Sequence, residues 1–194
     1  YCLVIYTADT AKMNTNYRIE KDSMGELQVP DNALYGAQTQ RAINNFPISG
    51  LTLPSAFIKT VALIKQTAAK VNMELGVLDD ARGQAIIQAA EQIIQGEHSD
   101  QFPIDIFQTG SGTSTNMNVN EVLAHLASES GSVAIGANDH VNMGQSSNDV
   151  IPTAIHISSA LECQRQLLPA LEHLAKTIES KACACKNHTK TGRT

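Results

Sequence analysis

The 194-residue chain has no tryptophan, and aromatic residues make up only 4% of it. Ala, Leu, Ile and Gln are plentiful, which favours a mainly α protein over a β-sandwich. No apolar run reaches the ~18 residues needed to cross a bilayer, so no membrane partner is expected. A basic excess is missing as well: 14 Lys and Arg face 19 Asp and Glu, a net charge of −5. That balance argues against a nucleic-acid partner, whose binding surfaces are normally basic. An anionic ligand would have to be attracted locally rather than by the whole surface.

Cysteine is also scarce. Cys2, Cys163, Cys183 and Cys185 form no disulfide framework, and the closing Cys-x-Cys lacks further ligands at zinc spacing. Reduced thiols, a cytoplasmic location and no metal are expected. The histidines, at 98, 125, 140, 156, 173 and 188, are scattered, and none pairs with another at metal-ligand spacing. His156 falls on an apolar helical pattern, where a satisfied core residue is the commoner outcome. The chain contains no repeat, low-complexity tract or flexible linker.

What the chain does contain is a run of small hydroxyls, amides and two glycines, Gln108-Thr-Gly-Ser-Gly-Thr-Ser-Thr-Asn-Met-Asn-Val-Asn-Glu121, uncharged until Glu121. Such a run combines many neutral hydrogen-bonding groups with a backbone that a ligand can approach closely. Gly144-Gln-Ser-Ser-Asn-Asp149 has the same character, and Thr191-Gly-Arg-Thr194 is a third fragment of it. Thr109-Gly-Ser-Gly-Thr113 lacks the lysine of a phosphate-binding P-loop and the third glycine of a dinucleotide fingerprint. Either cluster alone reads equally well as turn and cap chemistry. Two clusters, each preceding a helix, favour one shared anion site, because helix N-termini present free N–H groups and a positive dipole end.

The helices follow from apolar spacing. Phe57, Val61, Ile64, Ala68, Val71 and Leu75 mark one that Gly76 stops. Ala85, Ile86, Ala89, Ala90, Ile93 and Ile94 mark a second, capped by Asp79 or Asp80 and ended by Gly96. A third is expected over 116–128. A last helix, capped by Asp149 with Pro152 in its first turn, runs towards Ala184. At about 33 residues it would be roughly 50 Å long, suited to a bundle, with a bend at Pro169. Arg18 to Val29 reads as short strands or a loop before the turn at Pro30-Asp-Asn32, and 98–105 and 131–144 read as loops. Residues 1–12 are expected to be a non-native leader, with Met13 the true start. The end, lacking a terminating element, suggests truncation.

Several segments together carry a family likeness. Arg18-Ile-Glu-Lys-Asp-Ser-Met-Gly-Glu26, Leu34-Tyr-Gly-Ala-Gln-Thr-Gln-Arg41, Asn45-Phe-Pro-Ile-Ser49, Gln101-Phe-Pro103, the run 108–121, the run 144–149 and Gly192-Arg-Thr194 resemble class II fumarases of the aspartase/fumarase superfamily, in order and spacing. The resemblance implies residues 13–149 as an N-terminal lyase domain and 150–194 as the truncated start of a central helical bundle. It also implies a homotetramer with active sites shared between subunits, and reversible hydration of fumarate to (S)-malate in the tricarboxylic acid cycle without a cofactor. By match, Ser111, Gly112, Thr113, Asn116, Ser146, Ser147, Asn148 and Thr194 would contact the dicarboxylate.

A secondary dicarboxylate site in the family lies on a His-Pro-Asn-Asp loop. Here that loop is Gly136-Ala-Asn-Asp139, so only Asn138 and Asp139 carry over, weakly. The family's catalytic His would follow Thr194, and its catalytic Ser loop lies further on. No catalytic residue is therefore assigned within the chain, and the chain by itself is expected to be inactive. The alternatives are an aspartate ammonia-lyase or a non-catalytic scaffold, as in the lens crystallins related to argininosuccinate lyase.

Overall fold

The computed structural model describes residues 16–131 and 133–193. The expected leader, 1–12, and Thr194 fall outside the described residues. The chain opens with a hairpin of β1 (Tyr17–Asp22) and β2 (Gly25–Pro30), paired antiparallel from Tyr17↔Pro30 to Asp22↔Gly25. Of the two readings of this segment, strands are correct. The two-residue turn closes with Asp22 accepting the Met24 N–H at 2.8 Å, and Gly25 takes φ +119°, which a side chain would resist. Arg18 donates to the carbonyls of Pro30, Ala33 and Tyr35 at 2.8–2.9 Å, fixing the chain after the hairpin. Arg41 forks onto both oxygens of Asp22, tying the hairpin to α1 (Ala37–Asn45).

Helices α2 (Ser55–Glu74) and α3 (Asp80–Gln95) form a hairpin joined by a short turn, against which α4 (Thr113–Ser130) packs. Asp79 caps α3 by accepting the Arg82 N–H, and Gly96 ends it at φ +98°. Val61, Ile86, Val119, Val122 and Leu123 are fully buried at the centre. The buried side of α2 is rotated from the expected stripe: Val71 and Leu75 are exposed, while Ile58, Ala62, Lys65 and Ala69 are buried. The rotation follows from packing, since α2 must face α3, α4 and α5 at once.

Helix α4 begins at Thr113, three residues earlier than the spacing suggests, because Gly112 supplies a left-handed cap at φ +65°. After it, Ala137–Val141 forms a π turn inside the segment expected to be a loop. Helix α5 (Ser147–Glu162) is capped by Ser146 rather than Asp149; the Ser146 hydroxyl accepts the Asn148 N–H at 3.2 Å. Pro152 therefore lies in the second turn, where its missing N–H withholds the usual bond from the Asn148 carbonyl. A π turn at Cys163–Leu167 joins α5 to α6 (Leu168–Cys185), with the Leu168 N–H bonded to the Cys163 carbonyl. The disturbance expected at Pro169 thus falls just before it. Pro169 cannot donate to the Arg165 carbonyl and crowds it, so the ladder shifts by one residue. No helix among the described residues is long and apolar enough to cross a membrane.

Candidate functional site

The two polar runs meet at the starts of α4 and α5. Three carbons of Ile151 on α5 lie where a Cβ on Gly112 would meet them at 3.1–3.2 Å. Asn116 on α4, 1% exposed, donates its amide to the Ser147 hydroxyl oxygen at 3.0 Å. These contacts set the two helix N-termini side by side.

The run before α4 is held by its own side chains. Gln108 accepts the Thr115 N–H at 2.9 Å through Oε1 and donates through Nε2 to Thr115 Oγ1 at 2.8 Å and to the Asp105 carbonyl at 2.9 Å. It thereby caps the third N–H of the helix from a distance. Thr109 Oγ1 accepts the Ser114 N–H at 3.2 Å, and the Ser111 and Thr113 hydroxyls lie 2.9 Å apart. Side chains thus occupy two of the first N–H groups, while Thr113 N–H has no intrahelical acceptor. Across the gap, Ser147 N–H is in the same condition at the start of α5. Because Ser147 Oγ already accepts from Asn116, its own proton is available for a ligand.

Asp105 anchors the approach to this cradle. Burial pushes its carboxyl up, but the Phe107, Ser49 and Gly50 N–H groups and the Ser49 hydroxyl, at 2.6–3.0 Å, outweigh that and hold it at about 2. Glu121, at the far end of the run, takes no part in the cradle. Its carboxylate reaches away to the start of α1, where it accepts the N–H groups of Gly36, Gln38 and Thr39 at 3.0 Å each and the Thr39 hydroxyl at 2.6 Å. Gly36 is glycine for a steric reason, since a Cβ there would come within 3.0 Å of that carboxylate.

Of the expected contact residues, Ser111, Thr113, Ser146 and Asn148 are exposed, Gly112 and Ser147 are half-buried, and Asn116 is interior. All seven cluster at the two helix starts. Asn138 and Asp139 are exposed on the π turn, and among the described residues no hydrogen bond joins them to the cradle. Clefts form elsewhere on the surface: one of about 510 Å³ between α2 and the end of α5 includes Lys59, Thr60 and Arg165 but no cradle residue. With four of its seven residues exposed, the cradle is open to solvent among the described residues.

Behind the cradle lies a polar hub that the spacing of the motifs did not reveal. Asn142 Oδ1 accepts from Lys65 Nζ at 2.9 Å and from the amides of Asn116 and Asn120 at 3.2 Å each. Asn142 is oriented in turn by donating to the Gln145 carbonyl at 3.2 Å. Lys65 has 0% exposure and, among the described residues, no carboxylate partner, and burial pushes its ammonium down to about 7.

The family follows from likeness over nearly the whole chain. Residues 25–194 match the lyase family. A fumarate hydratase class II from Pseudomonas aeruginosa is 57% identical over 180 residues, 93% of this chain and 39% of the relative. One from Halobacterium salinarum is 52% identical over 187 residues, 94% of this chain and 40% of the relative. Among solved structures, the class II fumarase of Schistosoma mansoni superposes with a TM-score of 0.88 at 42% identity, covering 92% of this chain and 39% of that one. A fumarate lyase/delta crystallin from Brucella melitensis gives 0.87 at 40% identity, covering 92% and 43%. The chain thus spans about two fifths of the length of the curated relatives it matches. Taken with the helical scaffold and the paired helix starts, these matches mean that the chain belongs to the lyase family, where the relatives it matches are class II fumarate hydratases.

Proposed function

We propose that this chain supplies the carboxylate-binding wall of a fumarate hydratase, which reversibly adds water to fumarate to give (S)-malate. The observation that carries the proposal is the joining of the two polar runs by the Asn116–Ser147 hydrogen bond in a chain 57% identical to a class II fumarate hydratase. Ser111, Gly112, Thr113 and Asn116 form one side of the wall, and Ser146, Ser147 and Asn148 form the other. Thr194 belongs to a third segment.

The chemistry suits these groups. Hydroxyls, amides and helix-end N–H groups bind a carboxylate without bringing a second full charge out of water. When malate loses the proton next to its carboxylate, negative charge spreads onto that carboxylate's oxygens. Donors already fixed by the Gln108 and Ser146 caps stabilise the charge without reorganising. In this proposal the cradle binds and polarises, and the proton is moved by groups of the protein outside it.

Residues 13–149 act as the N-terminal domain and 150–194 as the start of a helical bundle. Exposed Ile155, Leu167, Leu168, Leu171, Leu174 and Ile178 give α5, α6 and the π turn between them the apolar surface that a homotetramer would bury. A cytoplasmic setting is in keeping with the free thiols of Cys163, Cys183 and Cys185 among the described residues. Asn138 and Asp139 remain candidates for a secondary dicarboxylate site.

The test is fumarate loss catalysed by the natural protein that carries this sequence. Thr113→Val or Asn148→Ala should each lower kcat/KM by about 2–4 kcal/mol of transition-state stabilisation. Unchanged kcat/KM in both would remove them from the site. Release of ammonium from aspartate without malate dehydration would favour an ammonia-lyase instead.

A further inference from the structure

The cradle is built of neutral groups, yet its proposed ligand carries two negative charges. Only one cation is tied to it by hydrogen bonds among the described residues, and it lies behind the wall. Lys65 Nζ donates to Asn142 Oδ1; Asn116 donates to the same oxygen and also to Ser147 Oγ. Three hydrogen bonds therefore connect a fully buried ammonium to the Ser147 hydroxyl at the start of α5.

We propose that Lys65 is a positioning residue for the dicarboxylate site: it fixes Asn142, which fixes the Asn116 amide, which turns the Ser147 hydroxyl proton outward to a carboxylate. The inference rests on the fumarate hydratase proposal.

Stability alone does not account for a lysine here. A buried ammonium without a counter-ion is costly, and replacing such a group with an apolar side chain of similar volume is commonly neutral or stabilising. The charged groups on the elements around α2 leave it unpaired. Asp79, Asp80, Arg82 and Glu91 border or lie on α3, Glu121, His125 and Glu129 lie on α4, Asp149, His156 and Glu162 lie on α5, and Asp139 and His140 lie on the neighbouring π turn. Among the described residues none of them forms an ion pair with Lys65.

The hub is also crowded on one side and empty on the other. Asn142 Oδ1 takes three donors, while among the described residues the buried Oδ1 atoms of Asn116 and Asn120 find no hydrogen-bond partner. Both asparagines therefore aim their amide groups at the oxygen that Lys65 holds, at the expense of their own acceptors. That arrangement fixes the direction of Asn116, and with it the direction in which Ser147 can donate. An ammonium held at about 7 is also responsive: an anion arriving in the cradle favours its charged form.

The experiment uses the natural protein carrying this chain and the unreactive dicarboxylate succinate, with affinity measured by titration calorimetry. Lys65→Met is expected to melt at or above the parent temperature yet to bind succinate about tenfold more weakly, the scale of one charge-assisted hydrogen bond. Ser147→Ala should give a similar loss. The double substitution should be little worse than either, because both remove the same oriented hydroxyl. In the unsubstituted protein, saturating succinate should move the side-chain carbon resonance of Lys65 in lysine-labelled NMR spectra.

Parent-like affinity in a folded Lys65→Met protein overturns the inference, as do losses that multiply in the double variant. If Lys65→Met does not fold, an unmoved Lys65 resonance in the unsubstituted protein overturns it. A parent protein that binds no succinate overturns the dicarboxylate proposal itself, and the role of Lys65 with it.

Discussion

Replacing Glu121 with glutamine should cost this chain about 3 kcal/mol of stability without touching the cradle. The carboxylate serves as a remote cap for α1. Oε2 accepts from Gly36 N–H, Thr39 N–H and the Thr39 hydroxyl, and Oε1 accepts from Gln38 N–H. An amide that keeps its oxygen at the Oε2 position retains three of these bonds but loses their charge assistance, about 0.5–1 kcal/mol each. Its NH2 then faces the Gln38 N–H, leaving a donor unsatisfied at about 1–3 kcal/mol. Losing a negative charge at a helix N-terminus adds about 0.3–1 kcal/mol. These contributions overlap within one small network, so about 3 kcal/mol is a better total than their sum.

The assay is urea unfolding followed by helical circular dichroism, with amide exchange in α1 as the local probe. Glu129→Gln is the control, because Glu129 is exposed and its one ion pair among the described residues is with His125 at 3.3 Å. It should shift stability by no more than about 0.5 kcal/mol. A Glu121→Gln protein within about 1 kcal/mol of the parent, with unchanged exchange in α1, would refute the capping role.

Two further outcomes follow from the same geometry. Gly112→Ala should destabilise by about 2 kcal/mol, since φ +65° is strained for alanine and its Cβ would press on Ile151 at 3.1–3.2 Å. Gly110→Ala, with open space around its Cβ, should be near neutral in the same unfolding assay. The Asp105 carboxyl is held at about 2, below its usual 3.8, so its stabilising contribution is present above pH 3.8 and is lost as pH falls through about 2. Urea midpoints measured against pH should therefore separate Asp105→Asn from the parent at neutral pH and converge at the acid end; a constant gap would contradict this.

Much of the scaffold was legible from residue order. Apart from half-buried Ile94, the apolar positions of α3 and α4 are buried as their spacing requires, and Gly96 ends α3 in the left-handed conformation. The juxtaposition of 108–121 with 144–149 could be inferred because both runs precede helices. The hub could not, because polar residues read as solvent-facing. Asn116, Asn118 and Asn120 are at most 1% exposed on a helix surrounded by neighbours, and only tertiary partners such as Asn142 and the Gln101 carbonyl make that burial tolerable. One signal was available for Lys65. It falls on the same face as Ile58, Val61, Ala62 and Ala69, at helical spacing, where a charged residue interrupts the apolar stripe. Glu121 misleads in the opposite sense: sequence proximity joins it to the anion-binding run, but its helical position turns it towards α1.

The π turn at Cys163–Leu167 has a consequence for the phase of everything after it. One extra residue in that turn rotates the rest of the helix by about 100° relative to an uninterrupted α-helix. Leu171, Leu174 and Ile178 therefore point where they do because of a single inserted position, independent of their own spacing. Deleting one residue there, with Pro169 replaced so that a regular ladder can form, would turn that hydrophobic edge about a quarter of the way around the axis. Sequence alignments that place a gap in this segment would thus be describing an angular change in the surface presented to a neighbour, not a change in helix length alone.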